Sequence, residues 1–281
     1  MFSKRAILLA IAIATFGVHA TIPAIAQSWI STWTASPQPP RGVVPTSFSN
    51  QTVRQIVRVS IGGSKVRIRL SNEFGTKPVL IGAASIGLTS GTADIVSGSL
   101  RPLTFGNSKS IVVLPGAPAL SDPVELNVAP LSDVAVNLYL PAATDLGTVH
   151  QVGLQTAYVS AMGDFTASSD FPAVDKFTSR FFLAGVIVEP SFPARAIVTF
   201  GDSITDGSNS TVNANSRWPD VLARRLQEAG APVAVLNQGI SGNRVLSDGA
   251  GANGLARFER DVLSQPGISH VVILLGINDI G

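Results

Sequence analysis

The chain has 281 residues, 45% apolar and 14% charged, which excludes a disordered polymer and leaves room for two modest domains. Its formal charge is only +2, and no lysine- or arginine-rich block occurs, which argues against a nucleic-acid partner. It has no cysteine, so disulfides, thiolate metal sites and a cysteine nucleophile are all excluded, and no cofactor is expected.

Residues 1–26 read as an export signal. Lys4 and Arg5 supply a charged start, and residues 6–18 form an apolar run too short to cross a bilayer comfortably. Small-residue sites end at Ala20 and Ala26, and cleavage is expected after Ala26. The protein is therefore expected to be secreted or periplasmic, with no stable membrane span after cleavage. The alternative is an uncleaved anchor.

Residues 27–190 read as all-β. Val57, Val59 and Ile61 alternate with Arg58 and Ser60, Gly62-Gly63 turns the chain, and Val66, Ile68 and Leu70 alternate with Lys65, Arg67 and Arg69. This pattern predicts a hairpin with one buried face and one cationic, solvated face. Val134, Val136, Leu138 and Leu140 alternate with Ala135, Asn137 and Tyr139 in the same way. Further strands are expected within 79–88, 111–114 and 181–188. Many short strands with turn residues between them suggest a β-sandwich or jelly roll. His150 falls in this region and reads as a surface or loop residue.

The pattern changes after Pro190-Ser191-Phe192-Pro193. Residues 196–200 form an apolar strand. Ser216 can cap a helix carrying Trp218, Val221, Leu222 and Leu226, with Gly230 beyond its end. Residues 233–236 make the next strand. Leu255, Phe258 and Val262 recur at helical spacing up to Gly267, and residues 271–275 make a third strand. The alternation of strand and helix predicts a parallel sheet of the flavodoxin-like type.

Each of those strands runs into a polar, glycine-bearing segment. These are Gly201-Asp202-Ser203, then Gln238-Gly239-Ile240-Ser241-Gly242-Asn243, then Gly276-Ile277-Asn278-Asp279. Open α/β sheets bind ligands at the carboxyl ends of their strands. A serine there is a candidate nucleophile, a glycine N–H a candidate oxyanion donor, and an asparagine amide an uncharged donor. Gly242 could instead only turn the chain, and Asn278 only cap a helix. Asp202 and Asp206 read as turn-holding residues, and Asn243 and Arg217 carry no assigned role. Gly239-Ile240-Ser241-Gly242 lacks the Gly-Lys-Ser/Thr of a phosphate loop, and residues 248–254 lack the acidic pattern of a calcium loop, reading rather as a flexible loop near the site.

The three segments, in this order and context, resemble the SGNH, or GDSL, hydrolase family of serine esterases. The resemblance covers about the last third of the chain. It implies Ser203 as nucleophile, Gly242 and Asn278 as oxyanion-hole donors, and an α/β catalytic domain over 194–281 that is incomplete. The start of the mature chain, Trp29 to Pro37, resembles secreted members that carry a β domain first. The family's Asp-x-x-His block has no counterpart here; its histidine and aspartate are expected beyond residue 281. His270 precedes the third strand and should lie at the opposite edge from Ser203. The reading that follows is a secreted esterase acting on acyl or acetyl esters, lipid or polysaccharide among them. The 281-residue chain alone is expected to be nearly inactive and weak in its last third. The alternative is a non-catalytic, glycan-binding or inert protein.

Overall fold

The computed structural model describes residues 29–42 and 45–280. Residues 1–26, read above as an export signal, lie outside them. Among the described residues, no helix is long and apolar enough to cross a membrane.

Two antiparallel sheets dominate residues 29–189. One places Gln51–Arg58 and Asp133–Leu140 side by side, flanked by Ala157–Met162 and Ala83–Thr89, with Ala173–Phe177 and Arg101–Leu103 at its edges. The other runs Ile30–Thr34, Leu183–Glu189, Gly63–Ser71 and Val124–Val128, with Pro118–Leu120 also on Gly63–Ser71. Val53, Val57, Val134, Val136 and Leu138 from the first sheet share one apolar cluster with Val66, Ile68, Leu70, Val186 and Val188 from the second. Alternation along each strand supplies these inner residues.

The expected hairpin at Gly62-Gly63 does not form. Gln51–Arg58 and Gly63–Ser71 belong to different sheets, so the turn carries the chain across the core. The reason is burial. Both apolar sets, Val57 to Ile61 and Val66 to Leu70, face the shared interior, where a two-stranded ribbon would leave them half exposed. Thr32 closes the crossing, donating from Oγ1 to Ile61 O at 2.7 Å and accepting from Ile61 N–H at 2.9 Å.

Nor is there an open cationic face. Arg58 pairs with Asp133, Lys65 with Glu189, and Arg67 stacks on Trp29. Arg69 is half-buried, its guanidinium held below its ordinary value chiefly by burial, with Asp261 opposing. The segment 79–88 is two strands, Val79–Ile81 and Ala83–Thr89, in different sheets. The segment 181–188 breaks at Phe182, whose φ is 59°, into Arg180–Phe181 and Leu183–Glu189.

Residues 195–280 form a parallel three-stranded sheet with Arg195–Gly201 in the middle, Val233–Gly239 on one side and Ile268–Leu274 on the other. Helix α1 (Ser203–Asp206) follows the central strand directly, and α2 (Trp218–Glu228) leads into the second. The N-cap of α2 is Arg217, not Ser216; the Asp220 carboxylate accepts the Arg217 backbone N–H at 3.0 Å. Helix α3 (Gly254–Phe258) passes into a π-helical turn, Glu259–Leu263, and α4 (Ile277–Ile280) follows the third strand. The wider turn carries an extra residue and so rotates the helix face. Phe258 and Val262 pack inward as expected, but Leu255 is exposed and Arg257 takes the interior position.

The two parts share their core. Ala196, Val198, Phe200, Ala234, Leu236 and Val262 belong to the same cluster as the β-sheet interior. Ser60 Oγ accepts the Val235 N–H at 3.1 Å, and Thr34 Oγ1 donates to Asn237 O at 3.2 Å, so side chains cap that outer sheet edge. Ile268–Leu274 differs. Its residues Val271 to Leu274 are 38–57% exposed. The last third is thus sealed on two of its strands and open on the third.

Candidate active site

The three strands end level. Gly201 stands opposite both Gly239 and Leu274, so the segments that follow emerge at one edge. Ser203, Gly242 and Asn278 are brought to that edge together, each two to four residues past its strand.

Ser203 is the first residue of α1 and is half-buried. Asp202 is its N-cap, with Oδ1 accepting the Ile204 N–H at 3.0 Å. Gly207 and Ser208 both donate from backbone N–H to Ser203 O, at 2.9 and 3.0 Å. The helix is a single turn because Gly207 stops it in the left-handed region.

Gly242 has φ of 80°, which favours glycine, and hydrogen bonds on either side hold it. Ser241 before it donates from N–H and Oγ to Asp206 Oδ2, at 2.8 and 2.6 Å. Asn243 after it accepts on its backbone oxygen from Asn278 Nδ2 at 2.9 Å. The Gly242 turn is therefore tied to the helix of Ser203 through one neighbour and to Asn278 through the other. A primary amide has two N–H groups, so the bond to Asn243 orients Asn278 and uses one of them. Gly239 allows this close approach: a Cβ there would collide with the Asp206 backbone.

Asp202 holds its own turn, as expected from the sequence, whereas the Asp206 carboxylate bonds Ser241 and His150 from distant segments. Asn243, given no role there, orients Asn278 and is itself held, accepting from Arg257 Nε at 3.0 Å and donating to Ala252 O at 2.9 Å. Arg217 lies against Asp220 rather than in the site. Residues 248–254 form a closed loop, with Asp248 Oδ1 accepting from both nitrogens of Asn253.

The largest correction concerns His150. It is buried, not at the surface. Its Nδ1 lies 3.0 Å from Ser36 O and its Nε2 3.1 Å from Asp206 Oδ1. Its short strand, Val149–His150, pairs with Arg180–Phe181 and brings it against α1. Both ring nitrogens are engaged away from Ser203. His270 pairs with Ile197, four residues before the level strand ends, and bonds Ser269 Oγ at 3.0 Å. Among the described residues, no histidine hydrogen-bonds Ser203.

Arg257, also missed in the sequence, anchors the strand ends. Its side chain is 0% exposed and stacks 4.0 Å over the Phe200 ring. It donates to Gly201 O at 2.9 Å, Gln238 O at 2.8 Å, Ser36 Oγ at 3.2 Å and Asp261 Oδ2 at 3.0 Å. Burial lowers its guanidinium from its ordinary value, and Asp261 opposes that.

Burial disfavours the charge on Asp261, but Arg260 and Arg257 outweigh it and hold the carboxyl below its ordinary value. A carboxyl depressed by folding adds stability above its unfolded value, about 3.9, and loses it as pH falls through the folded value. The stability difference between wild type and Asp261→Asn should therefore stay constant above about pH 5 and shrink below about pH 4 in thermal melts. A difference independent of pH down to acid unfolding would refute the ion pair's contribution.

Residues 199–281 match the family model of the GDSL-like Lipase/Acylhydrolase family, which bears out for this segment the resemblance read from the sequence. Among solved structures, the chain is similar to AlinE4, an SGNH-hydrolase family esterase, with 29% identity over 32% of this chain and 43% of that one, at a TM-score of 0.27. It is also similar to a family two carbohydrate esterase from Cellvibrio japonicus, with 15% identity over 90% of this chain and 66% of that one, at a TM-score of 0.27. The match spans less than half the length of AlinE4. No curated protein matches the chain.

Proposed function

We propose, from the premise that residues 199–281 are a GDSL-like acylhydrolase segment, that this protein is a secreted or periplasmic serine esterase acting on acyl or acetyl esters. The observation that carries the reading is the level ending of three parallel strands, which delivers Ser203, Gly242 and Asn278 to one edge. In this reading the sheet is flavodoxin-like and its boundary with a β-sandwich falls at 190–194.

Ser203 Oγ attacks the ester carbonyl and forms a tetrahedral intermediate. The backbone N–H groups of Ser203 and Gly242 and the second N–H of Asn278 Nδ2 receive its oxyanion. The intermediate collapses to an acyl-enzyme and releases the alcohol; water then releases the acid. The serine proton needs a base. His150 and His270 are both turned away from Ser203, so neither serves as the base in this reading.

A fluorophosphonate probe tests the reading. The protein should label at Ser203 and hydrolyse short-chain aryl esters. Labelling at another residue would overturn the assignment. Asn278→Ala should lower kcat by about 10²–10³-fold with little change in KM, because its donor strengthens in the transition state. An effect confined to KM would mean ground-state binding instead.

A further inference from the structure

His150 sits where the β-sheet part meets the helix of Ser203, and its role follows from what faces its two ring nitrogens. Nδ1 faces the backbone oxygen of Ser36, and Nε2 faces a carboxylate oxygen of Asp206. The backbone oxygen of Ser36 can only accept, so Nδ1 donates to it, and Nε2 shares the second hydrogen bond with the Asp206 carboxyl group. The side chains of His150 and Asp206 are 7% and 0% exposed. Such a buried pair is costly unless each remaining oxygen is filled.

The remaining oxygen of Asp206 is filled by Ser241, through its N–H and its hydroxyl. Ser208 Oγ lies a further 2.6 Å from Ser241 Oγ. His150 therefore sets the carboxylate plane of Asp206 from one side, and the carboxylate holds Ser241, the residue before Gly242, by its N–H and hydroxyl from the other. Ser36, which holds the outer nitrogen of His150, also touches Arg257. The contacts join four segments distant in sequence, at Ser36, His150, Asp206 and Ser241, and converge on one turn.

We propose that His150 is a positioning residue for the Gly242 N–H, acting through Asp206 and Ser241, so that the β-sheet part helps to build the oxyanion site. The proposal rests on the reading of Gly242 as an oxyanion donor. His150 touches no reacting atom; it orients the group that does.

The test compares His150→Leu with His150→Gln in the native protein, with kcat expressed per fluorophosphonate-labelled site so that unfolded molecules do not count. The leucine variant should lose about 10–10²-fold in kcat with KM almost unchanged, as expected for a small misplacement of a transition-state donor. The glutamine variant, whose amide can donate to Asp206, should recover most of it. Equal kcat in wild type and His150→Leu, or no recovery by glutamine, would overturn the proposal. A second readout needs no activity. In the 281-residue chain, the Ser241 amide should lose hydrogen-exchange protection in His150→Leu, and the Gly242 amide resonance should move. If both stay unchanged the proposal fails, whatever the kinetics show. If wild-type hydrolysis survives Ser203→Ala, the esterase reading fails instead, and the amide measurements alone decide the role of His150.

Discussion

Replacing Ser203 by alanine is expected to lower kcat for short-chain aryl esters by about 10⁴-fold or more in the native protein. In the proposed reaction this hydroxyl forms the acyl-enzyme. The oxyanion donors remain in the variant, so some residual catalysis over water should persist. Folding should be unaffected. Ser203 holds the first turn of α1 through its backbone oxygen, which alanine keeps, and alanine is a good helix former. The melting temperature should therefore match wild type, and fluorophosphonate labelling at position 203 should vanish. Labelling or turnover that survives the substitution would place the nucleophile elsewhere.

Arg257→Met should produce the largest loss of stability, about 3 kcal/mol, or a fall in melting temperature of roughly 6–12 °C. Methionine preserves much of the volume but removes every donor. Gln238 O loses its guanidinium partner, while Gly201 O keeps the Ile240 N–H at 3.0 Å. Asp261 retains Arg260, whose Nε is 2.7 Å away, so the cost lies at the low end of the range for a broken buried pair. Arg257→Lys should recover only part of the loss, since a compact ammonium cannot reach acceptors on two strands, the Asn243 loop and Asp261 together. The Asn243 turn also loses its anchor, so activity should fall with stability. A methionine variant melting within about 2 °C of wild type would show that the guanidinium network does not hold the strand ends.

Much of the C-terminal third was legible in the sequence. A parallel strand buried on both faces reads as an apolar run, and 196–200 and 233–236 appear as such. The polar segment after each strand is local too, so Ser203, Gly242 and Asn278 could be placed at strand ends before their register was known. The left-handed φ at Gly242 belongs to the same local class. Turn-holding by Asp202 was readable because a short carboxylate at a helix start bonds a nearby N–H group, whereas Asp206 holds Ser241, which is distant in sequence.

What the sequence could not contain was pairing across long separations. Alternation around Gly62-Gly63 is equally consistent with a hairpin and with a crossing between sheets, because period two specifies which side is apolar and not which strand lies beside it. Only the shared core decided that. The same holds for His150. A histidine between β-region residues carries no local mark of its partners, and Ser36 and Asp206 lie 114 and 56 residues away. Nor does Arg257 carry a local mark, since the acceptors on Gly201 and Gln238 that hold it at the strand ends come from other segments. Sequence by itself therefore determined the alternation of strand and helix in the C-terminal third and the polar residues that follow each strand. Tertiary structure alone decided which buried charges hold those groups in place, because a desolvated ion persists only where partners from distant segments converge on it.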